Sequence, residues 1–124
     1  MIVGVGIDMI EVERVLEKID SNDGFRKLIF SEKEIAFCDS MPKRGEHYAA
    51  RFAAKEAFLK ATGFGLTLGF ELAEIEVVHD DKGKPLLNLT GKAGMKAAQH
   101  HWNKIHLSIS HLQSVACAFV IIEQ

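Results

Sequence analysis

Two side chains of opposite charge lie four positions apart near the middle of the chain and are the strongest candidates for chemistry. Residues 51–63 read RFAAKEAFLKATG, which favours a helix that ends at Gly63. Helical spacing puts Glu56 and Lys60 one turn apart, on a face shared with Ala49, Phe52 and Ala53. A carboxylate on a face that apolar neighbours turn inward needs a cation, a metal or hydrogen bonds to compensate it. This pair therefore indicates a site.

Asp8 is a second acid with a suggestive position, because it closes residues 2–7, an apolar β-strand pattern with glycines that permit close backbone approach. Two carboxylates, with water and phosphate oxygens, are what Mg²⁺ usually takes from a protein. Simpler interpretations exist. Glu56 and Lys60 can form a solvated ion pair worth about 0.3–0.5 kcal/mol, and Asp8 can be the N-cap of the next helix. Spacing alone leaves both interpretations open.

The elements that must position these residues follow from hydrophobic periodicity. Strands are predicted at residues 2–7, 73–79, 85–89, 105–110 and 115–122, and helices at residues 11–20, 31–38, 46–62 and 91–102. Ser31 and Glu34 have the spacing of a capping box, and residues 80–83 supply a hairpin turn. The order predicts an α+β fold with a largely antiparallel sheet packed against helices.

Composition favours one ordinary domain over residues 1–124, since 48% of the 124 residues are hydrophobic and 26% are charged. The formal charge of −2 and the lack of an aromatic-basic motif disfavour nucleic-acid binding. The apolar start is shorter than a signal-peptide core, and no other apolar run is long enough to span a membrane. We therefore expect a cytoplasmic protein without a membrane partner.

Cysteine and histidine spacing argues against a thiolate or zinc centre. Cys38 and Cys117 have no CxxC partner, so neither a disulfide framework nor a thiolate metal site is indicated. Histidines cluster near the C-terminus, but the adjacent side chains of His100 and His101 diverge and no cysteine lies at ligand spacing. Zinc is disfavoured.

Three segments of the chain resemble the holo-[acyl-carrier-protein] synthases, the short bacterial type of 4′-phosphopantetheinyl transferase. The first is VGVGID at residues 3–8, with Arg14 six positions after the aspartate. The second is RFAAKEAFLKA at residues 51–61, the central signature of the family. The third joins GKP at residues 83–85 to LSISH at 107–111 and ACA at 116–118. The resemblance implies the single-lobe 4′-phosphopantetheinyl transferase fold.

The resemblance also implies a reaction, in which the serine hydroxyl of an apo acyl carrier protein attacks the β-phosphorus of coenzyme A. Phosphopantetheine moves to the serine, 3′,5′-ADP leaves, and the holo-carrier serves fatty acid biosynthesis. Asp8 and Glu56 match the family's Mg²⁺ ligands, and Lys60 matches its catalytic lysine. These three are the expected catalytic residues. The proton acceptor stays open between Glu56 itself and a metal-bound water.

Coenzyme A contacts are implied at Lys60 and at several basic or strand-end positions, namely Arg44, Arg51, Lys84, Pro85 and His111. Lys43 and His47 lie near the first two, and a solvated basic loop is the alternative for this group. Arg14, with Lys18 on the same helix face, is implied to meet the acidic carrier protein by charge complementarity.

Family members of this length form homotrimers with active sites at the subunit interfaces, so the resemblance implies the same assembly here. We expect Asp8 and His111 to act from a different protomer than Glu56 and Lys60. Two other functions use similar residues. A coenzyme A or nucleotide sensor needs the phosphate anchors but no catalytic lysine, and a metal-dependent phosphohydrolase uses the same carboxylates to activate water.

Overall fold

The computed structural model describes the backbone of all 124 residues and the side chains of all but Leu66 and Leu68. The helices are α1 (Val12–Ser21), α2 (Asp23–Ile29), α3 (Glu32–Asp39), α4 (Arg44–Thr62) and α5 (Gly91–Gln99). The strands are β1 (Ile2–Glu11), β2 (Ile75–His79), β3 (Pro85–Leu89), β4 (Lys104–His111) and β5 (Val115–Glu123). Short 3₁₀ turns at Gly65–Leu68 and Leu72–Glu74 connect α4 to β2. The predicted α+β class is confirmed.

Both sheets are antiparallel, with the strand order β1-β5-β4 in the larger and the hairpin β2-β3 in the smaller. The central position of β5 agrees with its nearly continuous apolar sequence. Its inward residues include Ala116 and Ala118, and β1 places Asp8 directly opposite Ala118. Asp8 therefore stands on the face of the sheet that covers α4.

Helix α4 is the centre of the molecule, buried on almost every side. Alanine favours the helix, and its small side chain lets neighbouring elements approach. On β1 the approach is so close that a Cβ built on Gly6 would overlap the carbonyl oxygen of Ala57, and one on Gly4 would overlap that of Ala61. The helix ends at Gly63, whose φ of 78° gives the left-handed conformation that favours glycine.

The core has two parts, which pack against the C-terminal and the N-terminal part of α4. One lies between α4 and the two sheets and includes Phe58, Trp102 and Ile122. The other lies between α4 and the first three helices and includes Tyr48 and Phe30. Within the described part of the chain, no helix has the length and apolar character that crossing a bilayer requires.

Strand β1 is longer than its sequence predicts, which changes the position of Asp8. Pairing with β5 continues to Glu11, opposite Val115, so the strand runs three residues beyond Asp8. Glu11 occupies the N-cap position of α1. The alternative of Asp8 as a helix cap is therefore wrong, because the backbone hydrogen bonds of β5 keep this segment extended.

Candidate active site

Asp8 and Lys60 meet in one chain across the contact between β1 and α4. The Lys60 ammonium donates to Asp8 Oδ1 at 3.0 Å and to the carbonyl oxygen of Ile7 at 2.9 Å. The Asp8 side chain is only 15% exposed, whereas that of Lys60 is 55% exposed. The ammonium thus reaches from solvent onto a largely covered carboxylate. Asp8 and Lys60 therefore need no second protomer, which corrects the expectation that separated them.

Glu56 and Lys60 lie on the open side of α4, not on its buried side. Beyond its first turn, the helix residues that are not buried are Phe52, Glu56 and Lys60, spaced four apart. The sequence pattern assigned this stripe to the inner face with Ala49 and Ala53, both of which are fully buried. The predicted direction of the stripe is wrong because a helix with alanine on most sides gives hydrophobic periodicity little contrast.

The charge balance around Glu56 favours a cation. Burial raises the pKa of Glu56, repulsion from Asp8 raises it further, and Lys60 lowers it. Glu56 and Lys60 also line an open groove of about 250 Å³, together with Leu59, Gly63 and Gly65. Two acids that repel each other beside a groove form a site that a positive ion would stabilise.

These acids fit a hard divalent ion that keeps other oxygen ligands. Mg²⁺ takes one or two protein carboxylates and completes its shell with water and substrate oxygens. Asp8 and Glu56 would supply the carboxylates. Among the described side chains, no group of three or more His, Cys, Asp or Glu residues is arranged to hold a metal. Two carboxylates suit an ion whose remaining positions are taken by water and substrate oxygens.

A second pocket, which we call the Arg51 pocket, lies on the other side of α4. It measures about 220 Å³ and is lined mainly by Phe37, His47, Arg51, His79, Pro85 and His111. Arg51 is only 3% exposed, and its guanidinium lies over the Phe37 ring at 4.4 Å. Its Nη1 makes a long hydrogen bond of 3.4 Å to the carbonyl oxygen of His47. The pocket thus holds a buried cation.

The Arg51 pocket brings together three residues implied by the resemblance, since Arg51, Pro85 and His111 all line it. His111 shares a hydrogen bond of 2.9 Å between its Nδ1 and Glu46 Oε1. Sequence reasoning missed His79, which reaches the pocket from β2. Its only sequence signal is a position just before the hairpin turn that carries Lys84 and Pro85.

Arg44 and Lys84 occupy different surroundings. Arg44 begins α4 and forms an ion pair with Asp20 of α1, which raises the pKa of the guanidinium. Neither Arg44 nor Lys84 lines the Arg51 pocket. Lys84 is exposed in the β2-β3 turn, where its backbone N–H donates to Asp80 Oδ1 at 2.9 Å. A role for either in coenzyme A binding stays a prediction.

Arg14 and Lys18 flank an apolar groove on α1. The groove is lined by both side chains and by Ile10, Val15, Phe25 and Phe52. The Lys18 ammonium lies 5.7 Å from the centre of the Phe25 ring. Phe25, which sequence reasoning missed, comes from α2. Phe52 is one turn from Glu56 on the same face of α4, so this groove lies on the side of the helix that carries Glu56.

The Arg51 pocket and the Glu56 groove lie on opposite faces of α4. Lys60 comes nine positions after Arg51, which corresponds to a rise of about 13 Å and a rotation of about two and a half turns, or about 180° between their directions. A helix buried on most sides therefore stands between them. One chain brings Asp8, Glu56 and Lys60 together and leaves His111 with Arg51.

Known proteins are similar to this chain over almost its whole length. Residues 4–120 match the family described as the 4′-phosphopantetheinyl transferase superfamily. The holo-[acyl-carrier-protein] synthase of Clostridium tetani (strain Massachusetts / E88) is 46% identical over 123 residues, covering 99% of this chain and 97% of the relative.

Solved structures of such enzymes share the fold. Holo-[acyl-carrier-protein] synthase from Neisseria meningitidis has a TM-score of 0.92 at 29% identity, with 100% of both chains covered. The Bacillus anthracis str. Ames enzyme, solved in complex with CoA (3′,5′-ADP), has a TM-score of 0.80 at 37% identity, covering 98% of this chain and 96% of that chain. With its acids and lysine grouped on one strand and one helix, this chain belongs to the holo-[acyl-carrier-protein] synthase family of the 4′-phosphopantetheinyl transferase superfamily.

Proposed function

We propose that this chain transfers 4′-phosphopantetheine from coenzyme A to a serine of apo acyl carrier protein, giving holo-carrier protein and 3′,5′-ADP for fatty acid biosynthesis. The observation that carries the proposal is the meeting of Asp8, Glu56 and Lys60 in a chain of this family. All 124 residues act as one transferase domain, located in the cytoplasm.

Asp8 and Glu56 hold Mg²⁺ in this proposal. When bound, the ion neutralises negative charge on the diphosphate and stabilises the charge that develops during transfer. The raised pKa of Glu56 supports this role, because a divalent cation relieves the repulsion that Asp8 exerts on it. Lys60 already neutralises Asp8 from the solvent side, so its ammonium is positioned to move between this acid and an incoming phosphate.

Lys60 binds the diphosphate and stabilises charge on the phosphate that departs with 3′,5′-ADP. Its half-exposed ammonium on the groove wall supports this role, since a flexible point charge can follow a phosphate oxygen as the bond breaks. Glu56 accepts the serine proton. The position of Glu56 on the groove wall supports this assignment, because a proton acceptor must lie within reach of the serine hydroxyl.

The far end of coenzyme A, with its 3′-phosphate, binds in the Arg51 pocket of a neighbouring protomer. Burial of Arg51 beside His47 and His111 supports an anionic ligand there. The Arg51 pocket and Lys60 lie on opposite faces of α4. A ligand held by Lys60 would have to cross a buried helix to reach Arg51 of the same chain, which supports the participation of a second protomer.

The assembly we propose is a homotrimer, as the family resemblance implies. An apolar patch on the outer face of the larger sheet supports association. It consists of Val3, Val5, Ile7 and Met9 on β1, between 42% and 67% exposed, and Phe119 on β5. A row of exposed apolar side chains on an edge strand is costly in water and indicates a covered surface.

The carrier protein docks on the groove of α1 and presents its serine to Glu56. Arg14 and Lys18 supply positive charge for an acidic helix, and Phe25 and Phe52 supply apolar contact. Phe52 supports the placement, because it lines this groove and lies one turn from Glu56 on the same face of α4.

Incubation with coenzyme A, Mg²⁺ and an apo carrier protein tests the function by mass spectrometry of the carrier. We expect the native chain to add one phosphopantetheine group, and Glu56→Ala and Lys60→Ala to lose at least about a hundredfold in rate. Lys92→Ala, an exposed lysine on α5, is the matched control and should retain activity. Omission of Mg²⁺ with a chelator should stop the reaction. An unmodified carrier would contradict the proposal, and consumption of coenzyme A without modification would indicate the phosphohydrolase.

A further inference from the structure

The Arg51 pocket gathers one guanidinium and three imidazoles. Together these groups can carry more positive charge than the nearby carboxylates neutralise. Arg51 is almost fully buried, and its Nε has no hydrogen-bond partner in the described structure. Imidazoles approach it from three elements, with His47 on α4, His79 on β2 and His111 on β4. The rings of His47 and His111 are 5.5 Å apart, and both His47 and His79 contact the Phe37 ring that stacks on Arg51. These groups converge on one small volume.

The carboxylates that face these imidazoles are already engaged. Glu46 shares its hydrogen bond with His111. Asp80, next to His79, uses Oδ1 to accept backbone N–H bonds from Lys82 and Lys84 at 2.8 and 2.9 Å. His47 and His79 are left with Arg51 as their strongest charged neighbour, and no acid is hydrogen-bonded to either ring in the described structure.

Both rings are therefore neutral in the free protein near neutral pH. Burial lowers the pKa of His47, and Arg51 and the neighbouring imidazoles lower it further, because they disfavour a second positive charge, against the opposing effect of Glu46. Burial and then Arg51 lower the pKa of His79, with Asp80 opposing. A dianion placed among these groups would reverse the electrostatic contribution, because it favours the protonated form of each ring.

We propose that His47 and His79 bind the 3′-phosphate of coenzyme A together with Arg51 and take up protons as it binds, so that the preference for coenzyme A over dephospho-coenzyme A strengthens as the pH falls. This inference rests on the proposed function and assigns a substrate-selecting role to two residues. Arg51 supplies the part of the affinity that does not depend on pH, because its guanidinium stays charged.

The direction of this pH dependence follows from the linkage between proton binding and phosphate binding. At high pH both rings are neutral, and the phosphate meets only Arg51 and neutral donors. As the pH falls toward the pKa that the rings have in the complex, each proton adds a charge-assisted hydrogen bond. The 3′-phosphate itself stays largely dianionic down to about pH 6.5, because the second pKa of a phosphate monoester is about 6.

The experiment compares kcat/KM for coenzyme A and for dephospho-coenzyme A in the same carrier-modification assay, from about pH 8 to about pH 6.5. Taking the ratio of the two values removes the pH dependence of Glu56, the metal and the carrier, which both substrates share. We expect the ratio for the native chain to rise about five- to tenfold as the pH falls, the effect of one or two charge-assisted hydrogen bonds. The change should lie mainly in KM.

Variants separate a direct role from a structural one. His47→Gln with His79→Gln keeps hydrogen-bonding side chains but cannot gain charge, so its ratio should match the native ratio at high pH and stay flat. His101→Gln, an exposed histidine after α5, is the matched control and should keep the native profile. A flat native ratio, or a double variant with the native pH dependence, overturns the inference. Failure of both substrates in the native chain would instead overturn the proposed function.

Discussion

At the scale of single residues, the role that we propose for Glu56 sets activity against stability. Its ionised form is opposed by burial and by Asp8, yet binding a cation or accepting a proton requires that form. An acid whose pKa is higher in the folded chain than in the unfolded chain destabilises the fold once it ionises. This cost is absent below the unfolded pKa and fully present above the folded pKa.

Glu56→Gln should therefore stabilise the protein at neutral pH while stopping the transfer. Since the side chain is partly open to solvent, screening limits the gain to a few tenths of a kcal/mol, or about 1–2 °C in Tm. Thermal unfolding without metal, from about pH 7 to about pH 4, measures it. The gain should shrink as the pH falls, because native Glu56 then becomes protonated. A lower Tm for the variant at neutral pH would contradict the raised pKa.

Mg²⁺ should raise the Tm of the native chain through the same acids and leave Glu56→Gln nearly unchanged, because a ligand stabilises only the state that binds it. The titration reads out binding without any turnover. An equal shift in both proteins would place the ion elsewhere.

At the same scale, resemblance to a family identified more of the candidate site residues than local sequence pattern did. The partnership of Glu56 with Lys60 follows from helical spacing, but the contact of Lys60 with Asp8 joins residues 52 positions apart and has no local signal. The same holds for His79, which meets Arg51 only because the β2-β3 hairpin packs beside α4. Spacing also misplaced Glu56 on the inner face, since an alanine-rich helix offers no contrast between its sides.

At the scale of elements, a fully buried ion pair connects the helices to the smaller sheet. Lys55, next to Glu56, points into the core, where its ammonium donates to Glu34 Oε1 at 2.7 Å and to the carbonyl oxygens of Leu72 and Ile75. Glu34 also accepts the backbone N–H of Val77 at 3.0 Å. Burial lowers the pKa of Lys55, and Glu34 opposes that shift. The pair thus links α3 and α4 to the start of β2.

Lys55→Met should destabilise the fold by about 3–5 kcal/mol, because it leaves Glu34 buried without its cation. Urea unfolding measures the loss. Adding Glu34→Gln should recover part of it, since no uncompensated charge then remains. Lys27→Met removes an exposed ion pair with Asp23 and is the control, with an expected loss below about 0.5 kcal/mol. Equal small losses for both lysines would show that the buried pair does not hold these elements together.

Features with a local sequence signal were predictable, whereas a helix that depends on tertiary packing was not. The capping box at Ser31 and Glu34 is present, with reciprocal bonds of 2.9 and 3.2 Å, because both partners lie within one turn. Helix α2 is not predicted by the sequence pattern, since Gly24 weakens it. The helix forms because Asn22 caps it by accepting the backbone N–H of Phe25, and because Ile29 and the following Phe30 are buried. Tertiary packing here outweighs local propensity.

At the scale of the whole molecule, the homotrimer that we propose places the two halves of the site on different copies of the chain. Lys60→Ala retains the Arg51 pocket, and Arg51→Gln retains the acids and the lysine. Each variant alone should be nearly inactive. A mixture co-assembled in equal amounts should recover about one quarter of native activity, because one interface in four then combines both intact halves in a closed ring.

Carrier modification by the co-expressed mixture, with light scattering to establish the assembly state, measures this recovery. Simple mixing of the two variants after assembly is the control and should recover little unless protomers exchange. If the whole site lay within one chain, no mixture would exceed the activity of its components. That result would also remove the reason to place His111 opposite Lys60 across an interface.

The close contact of Gly4 and Gly6 with α4 affects which core substitutions the candidate site can tolerate. Strand and helix touch through peptide groups, whose dimensions are the same in every sequence, so the gap between Asp8 and Glu56 does not depend on the size of any core side chain. Substitutions that repack Phe58 or Trp102 can raise or lower stability while the two acids keep their separation. The separation of the two acids and the composition of the core can therefore change independently.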